Sequence, residues 1–327
     1  MKTFVNVNAR DVSHAVTLAR QAHAEGSRVS FVGGGSDLLG LLKDHVVEPD
    51  VLVNLKTMSG LDRVTEESDG VSIGGLTTLT SLSRDTLIRS EYPVLAEAAE
   101  SVATLQIRNV GTLAGNVCQR PWCWYYRNGF PCYKAGGDRC FSVTGENQLH
   151  AIFGGGPSYI VHPSDTAPAL VALGARFRVT GPEGDRLVPA ADFFILPEQD
   201  PVRENVLGNE DLLAEIRLPS VRPGTRSTYH KVMDREAWTH AVVSVAVVLE
   251  MDDRVCRDAR VVLGGVAPIP WRLPAVERLL AGRTITEELA AEAGEAAIVG
   301  ARPLAKNAYK LPLTRGVVRR TLLELAG

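Results

Sequence analysis

The run Arg28-Val29-Ser30-Phe31-Val32-Gly33-Gly34-Gly35-Ser36-Asp37-Leu38 decides how the chain is read. Its first half, RVSFV, is apolar and β-branched enough for a buried strand, and it passes without a linker into three consecutive glycines. Residues without a Cβ let a backbone come close to a ligand, and successive N–H groups form nests that hold phosphate oxygens. A second glycine loop, Gly111-Thr112-Leu113-Ala114-Gly115-Asn116, has the same character. Ser36, Thr112 and Asn116 add side-chain hydrogen-bonding groups. The dinucleotide fingerprint G-x-G-x-x-G, with an acidic residue about 20 positions on, is not met at the first loop, which disfavours a Rossmann site. Taken singly, either loop is as well explained by a tight turn. A third segment, His162-Pro163-Ser164-Asp165-Thr166-Ala167, is also ambiguous, because Asp165 can simply cap the helix that follows it.

Outward from these loops the pattern is mixed. Asp11 can cap a helix whose Ala15, Leu18, Ala19 and Ala22 share a face, with Gly26 ending it. Val51–Leu55 and Val71–Gly75 read as short strands, and Pro93 opens an Ala-rich helix. A helix through APALVALGA and a hairpin about Gly181-Pro182-Glu183-Gly184 follow. From about residue 220 the order changes: STYHKVM, AVVSVAVVLEM and DARVVLGGV are β-rich, and LPAVERLLAG, TEELAAEAGEAA and RGVVRRTLLELAG are helical. Strands followed by helices predict an α+β unit, an antiparallel sheet with helices on one face. The Pro-containing stretch Leu218–Gly224 is the expected boundary, giving domains over 1–220 and 221–327.

The chain of 327 residues is long enough for two cores, with 45% hydrophobic and 22% charged residues. A net charge of -3 offers no basic footprint for nucleic acid. The N-terminus MKTFVNVNARD has no apolar core of a secretory signal, and the apolar stretch Ala241–Leu249 is too short to span a bilayer. A cytoplasmic protein is expected, or one carried to the periplasm by an exported partner. His14 and His23, on the first helix, read as surface residues.

Four of the five cysteines, Cys118, Cys123, Cys132 and Cys140, lie in one segment spaced C-x4-C-x8-C-x7-C. Thiolates suit zinc or iron–sulfur clusters. The absence of a tight C-x2-C knuckle counts against structural zinc, whereas a peptide wrapping a cluster tolerates wide spacing. Unligated cysteines in an aromatic mini-core are the third reading. Pro121, Trp122, Trp124, Tyr125, Tyr126, Phe130 and Phe141 would form a shell limiting water access. Gly136 and Gly137 offer turns between Cys132 and Cys140. Cys256 reads as a small core residue.

The motifs taken in order resemble those of the flavin subunits of the xanthine dehydrogenase and carbon monoxide dehydrogenase family. They are VGGGSDLL at 32–39, RNVGTLAGNV at 108–117, HPSDTAPALVALGA at 162–175 and YHKVMDREAWTHAVVSVAV at 229–247. The resemblance implies an α+β chain: an FAD-binding domain of the vanillyl-alcohol oxidase (PCMH) type in two α/β halves, then a carbon monoxide dehydrogenase flavoprotein-type C-terminal domain. It implies that Val32, Gly33, Gly34, Gly35, Ser36, Asp37 and Leu38 hold FAD from one side and Gly111, Thr112, Gly115 and Asn116 from the other. Asp165 would sit near the ribityl chain or ring, and Lys231 near the isoalloxazine; without the resemblance, Lys231 reads as a solvated strand lysine.

The insert at about 117–155 resembles the one that binds a [4Fe–4S] cluster in a subset of the family, among aldehyde oxidoreductases and 4-hydroxybenzoyl-CoA reductase. In the latter type the cysteine matching Cys123 is not a ligand and a later one is. None follows here before Cys256, so Cys123, His150 or another group would complete the set. The implied partners are a molybdenum-cofactor large subunit and a [2Fe–2S] small subunit, with this chain relaying electrons through FAD and having no catalytic residue of its own. The rival functions are a self-contained flavin oxidoreductase of the same fold and a zinc-stapled scaffold.

Overall fold

A computed structural model describes residues 1–237 and 239–327; Trp238, within the last of the four motifs, lies outside the described residues. The first unit comprises β1 (Val5–Asn8), α1 (Val12–Ala24), β2 (Val29–Val32), α2 (Leu38–Lys43) and β3 (Val51–Asn54). Asp11 caps α1 by accepting from the His14 N–H, and the helix turns Ala15, Val16, Ala19 and Ala22 inward. Gly26 ends it at φ +80°, a conformation that costs glycine nothing. The three strands pair in parallel in the order β1-β3-β2, so the carboxyl end of β2 delivers the first glycine loop to one end of the sheet. His14 and His23 are half-buried, and His23 faces Glu210 at 3.2 Å.

The second unit starts with β4 (Val64–Glu67) and β5 (Gly70–Gly74). Helices α3 (Leu79–Arg84), α4 (Thr86–Glu91), α5 (Pro93–Glu100), α6 (Leu105–Val110) and α7 (Leu113–Val117) follow. The cysteine segment carries α8 (Trp124–Arg127) and one 3-10 turn, Tyr133–Ala135. Then come α9 (Thr166–Ala172), β6 (Arg176–Gly181), β7 (Gly184–Pro189), α10 (Ala190–Phe193) and β8 (Leu212–Pro219). The sheet order β4-β5-β8-β6-β7 is antiparallel throughout, with the last strand in sequence at its centre. Ile73, Leu95, Leu170, Phe177 and Ile216 are fully buried in its core.

The remaining chain forms β9 (Thr225–Val232), β10 (Val243–Asp252), β11 (Val255–Gly264), β12 (Trp271–Arg272), α11 (Pro274–Leu280), β13 (Arg283–Thr284), α12 (Glu287–Ala296) and α13 (Lys310–Ala326). β9, β10 and β11 form an antiparallel meander. The unit's own helices lie on one face of this sheet, as expected. α11 and α13 cover one face, but α5 and α9 of the preceding unit cover the other. This explains why β10 reads as a continuous apolar run: Val243 to Val247 are all buried, which alternation for a half-solvated strand would forbid. Cys256 is fully buried in this core, as expected. No helix among the described residues is long and apolar enough to cross a membrane.

Candidate functional site

The two glycine loops close on each other. A Cβ on Gly34 would stand 1.9 Å from the Val110 carbonyl oxygen, and one on Gly33 3.1 Å from Thr112 Oγ1. Gly35 takes φ +74°. Thr112 caps α7, its hydroxyl accepting from the Gly115 N–H at 3.2 Å. Beside these loops opens a cavity of about 1120 Å³. Val32, Gly33, Gly34, Gly35, Ser36, Asp37 and Leu38 line it, with Gly111, Thr112, Gly115, Asn116 and Asp165. Lys231 does not: it stands one layer behind the wall.

That layer is fully paired. Lys231 Nζ donates to Asp165 Oδ2 at 2.7 Å and to the Ser101 carbonyl at 3.0 Å, while Tyr229 Oη donates to Asp165 Oδ1 at 2.8 Å. Asp165 therefore makes no helix cap, contrary to the simpler reading of its position before α9. Nor is Lys231 a solvated strand lysine, since its side chain is 3% exposed. Burial, and then the Asp165 carboxylate, push the Tyr229 phenol well above its usual range, so it stays a donor. Asn116 Oδ1 accepts from Ser164 Oγ at 2.6 Å and Thr166 Oγ1 at 2.7 Å. These bonds fix the amide's orientation and leave Nδ2, with no partner among the described residues, as the donor for a ligand. Glycine backbone, hydroxyls and an oriented amide around a large cavity fit a dinucleotide such as FAD.

His162, also on the cavity wall, is held down at about 3 by burial, against 6.5 for an ordinary histidine. The folded chain keeps it neutral, whereas the unfolded chain takes up a proton below pH 6.5. Its contribution is thus absent above pH 6.5 and destabilising as pH falls toward 3. Between pH 7.5 and 5 this group should cost on the order of 2 kcal/mol. Urea unfolding at the two pH values checks it: His162→Gln should lose measurably less stability than the parent chain, and an equal loss sinks the assignment.

The cysteine segment is strapped to the first glycine loop. Asp37 accepts from Arg127 Nη2 at 2.7 Å and from the Arg120 N–H at 3.1 Å. Glu204 sits between Arg120 Nε at 3.0 Å and Lys134 Nζ at 2.7 Å. The Arg127 guanidinium lies 4.4 Å from the Trp122 ring centre, and Trp122 packs at 5.4 Å on His240 of the C-terminal unit. Arg127, Glu204 and His240 were not singled out from sequence. Apart from Trp122 beside Arg127, the partners named lie far along the chain, at separations that no local pattern reports.

The four clustered thiols are not gathered to one point. Cys118 packs against the main flavin-domain core, whereas Cys132 is buried with Leu41 and Tyr126, and Cys123 packs beside it. Cys123 Sγ lies 3.4 Å from His150 Nε2, and Cys140 Sγ lies 3.0 Å from Ser142 Oγ. Gly136 supplies a turn at φ +84°. Among the described residues, no three His, Cys, Asp or Glu side chains converge to metal-binding distance. This arrangement does not itself fit a cluster. Burial pushes Cys118 up to about 12 and Cys123 up to about 11, keeping both as thiols.

The FAD binding domain in molybdopterin dehydrogenase matches residues 2–221, and the CO dehydrogenase flavoprotein C-terminal domain matches residues 228–325. The chain is 34% identical over 299 residues to the aldehyde oxidoreductase FAD-binding subunit PaoB of Escherichia coli K12, covering 90% of each. It is 28% identical to the carbon monoxide dehydrogenase medium chain of Hydrogenophaga pseudoflava, covering 96% of this chain and 93% of that one. The solved carbon monoxide dehydrogenase from that organism, lacking the Mo-pyranopterin moiety, superposes with a TM-score of 0.78 at 26% identity, covering 99% of this chain and 97% of that one. With both domains matched in order and the glycine loops closing a dinucleotide-sized cavity, the chain belongs to the molybdopterin dehydrogenase flavoprotein family, as an FAD-binding oxidoreductase subunit.

Proposed function

We propose that this chain relays electrons through FAD between a [2Fe–2S] small subunit and an outside acceptor or donor, in a heteromeric enzyme whose molybdenum-cofactor large subunit acts on an aldehyde. The observation that carries the flavin assignment is the approach of Gly34 to Val110, which joins both loops at one cavity. The choice of aldehyde rests on the similarity to the PaoB subunit. FAD supplies the conversion between one-electron and two-electron steps. The chain's residues bind and orient it: residues 1–220 form the flavin domain, and Asp234, Thr239 and His240 from 221–327 add to the cavity wall.

The proposal includes a [4Fe–4S] cluster in the 117–155 insert, supported by the thiol spacing and the aromatic contacts of Tyr125, Phe130 and Phe141. Binding it would require Cys118, Cys123, Cys132 and Cys140 to draw together and lose protons.

Anaerobic purification with co-purifying subunits, followed by FAD, iron and zinc assays and EPR, tests both parts. One FAD and about four irons in this chain support the relay with its cluster. FAD with about one zinc and no iron removes the cluster and leaves the flavin assignment standing. Folded chain that neither holds nor takes up FAD overturns the whole reading.

A further inference from the structure

Residues 148–151 have no helix or strand, yet Leu149 and His150 form part of the cavity wall. Carbonyls outside a ladder need donors from elsewhere. Here all four are taken by side chains of one short segment at the start of α13. Tyr309 Oη donates to the Gln148 carbonyl at 3.0 Å, and Lys310 Nζ to that of Leu149 at 3.0 Å. Asn307 Nδ2 donates to His150 at 3.0 Å and to Ala151 at 3.3 Å. Lys310 also donates at 2.7 Å to the carbonyl of Gly265, another wall residue, just beyond the end of β11. Asn307 and Lys310 are both 0% exposed.

Lys310 is an expensive residue to place there. Among the described residues its hydrogen-bond partners are carbonyls, with no carboxylate, and burial lowers its ammonium to about 7. A methionine would fill similar space without desolvating a charge. What an apolar side chain lacks is the ability to tie together the carbonyls of two separate wall segments, Leu149 and Gly265.

We propose that Lys310 and Asn307 are positioning residues for the flavin, fastening the Leu149–His150 wall to the end of β11 so that the cavity keeps the shape its cofactor needs. This rests on the cavity being the flavin site. Tyr309 provides an internal control: it is 40% exposed, and its acceptor Gln148 is not part of the wall.

The full-length chain is stripped of flavin and titrated with FAD, as the parent and as Tyr309→Phe, Asn307→Ser and Lys310→Met. Dissociation constants come from flavin fluorescence, the ring environment from visible circular dichroism, and folding from the apoprotein's thermal midpoint. Asn307→Ser and Lys310→Met should weaken FAD by about tenfold or more and change the visible dichroism, and Tyr309→Phe should do neither. Parent-like affinity and dichroism in folded Asn307→Ser overturn the proposal, as does equal weakening by Tyr309→Phe, which would make the clasp a general stabiliser. If Lys310→Met does not fold, Asn307→Ser decides. A parent chain that takes up no FAD fails at the flavin assignment itself, and the positioning role falls with it.

Discussion

Gly34→Ala is expected to abolish flavin retention and to destabilise the apoprotein by about 1–3 kcal/mol. The added methyl group would stand 1.9 Å from the Val110 oxygen, 2.6 Å from its carbonyl carbon and 3.0 Å from Gly111 Cα. All three are backbone atoms, so no side-chain rotation can relieve the clash. The two loops must part, and both were cradling one ligand. Gly316→Ala is the control: it lies in α13, away from the cavity, where an added Cβ meets nothing within 4 Å, and alanine favours the helix by up to about 1 kcal/mol. Flavin absorbance per chain and urea unfolding of the apoprotein measure the two effects. A Gly34→Ala protein with full flavin content would remove the loops' apposition as the basis of binding.

What was legible in the sequence depended on range. The glycine loops declared themselves because backbone approach demands one residue type at one place, and the Asp11 cap and the 181–184 hairpin are likewise local. Asp165 stayed ambiguous between a cap and a ligand contact because its partners, Tyr229 and Lys231, come from a strand in the other domain. Asp37 lines the cavity as its position after the glycines suggests, but its ion pair with Arg127, 90 residues on, has no local signal. The second covered face of the β9–β11 sheet was hidden for a related reason: burial on both sides shows in the composition of β10, but which elements supply it does not. The cysteine spacing foresaw a cluster of thiols, while the fold divides Cys118 from Cys123 and Cys132 by attaching them to different apolar groups.

Asp165→Ala should cost about 3–5 kcal/mol in urea unfolding, because it strands a buried ammonium. The two side chains are 4% and 3% exposed, and of its protein partners Lys231 would keep only the Ser101 carbonyl. Tyr229 would also lose its acceptor. Removing the charges together, as Asp165→Leu with Lys231→Met, should recover most of the loss, since a buried pair replaced by apolar residues of similar volume is often nearly neutral. The exposed pair Arg319 and Glu287 sets the scale: Arg319→Ala should cost less than about 1 kcal/mol. Stability and flavin binding then separate. Asp165 lines the cavity and Lys231 does not, so the double variant should regain stability yet bind FAD less tightly than the parent. If it regains both, the carboxylate serves only to neutralise Lys231. If the double variant is as unstable as Asp165→Ala, charge compensation is not what the pair provides, and the Tyr229 hydrogen bond must account for the loss.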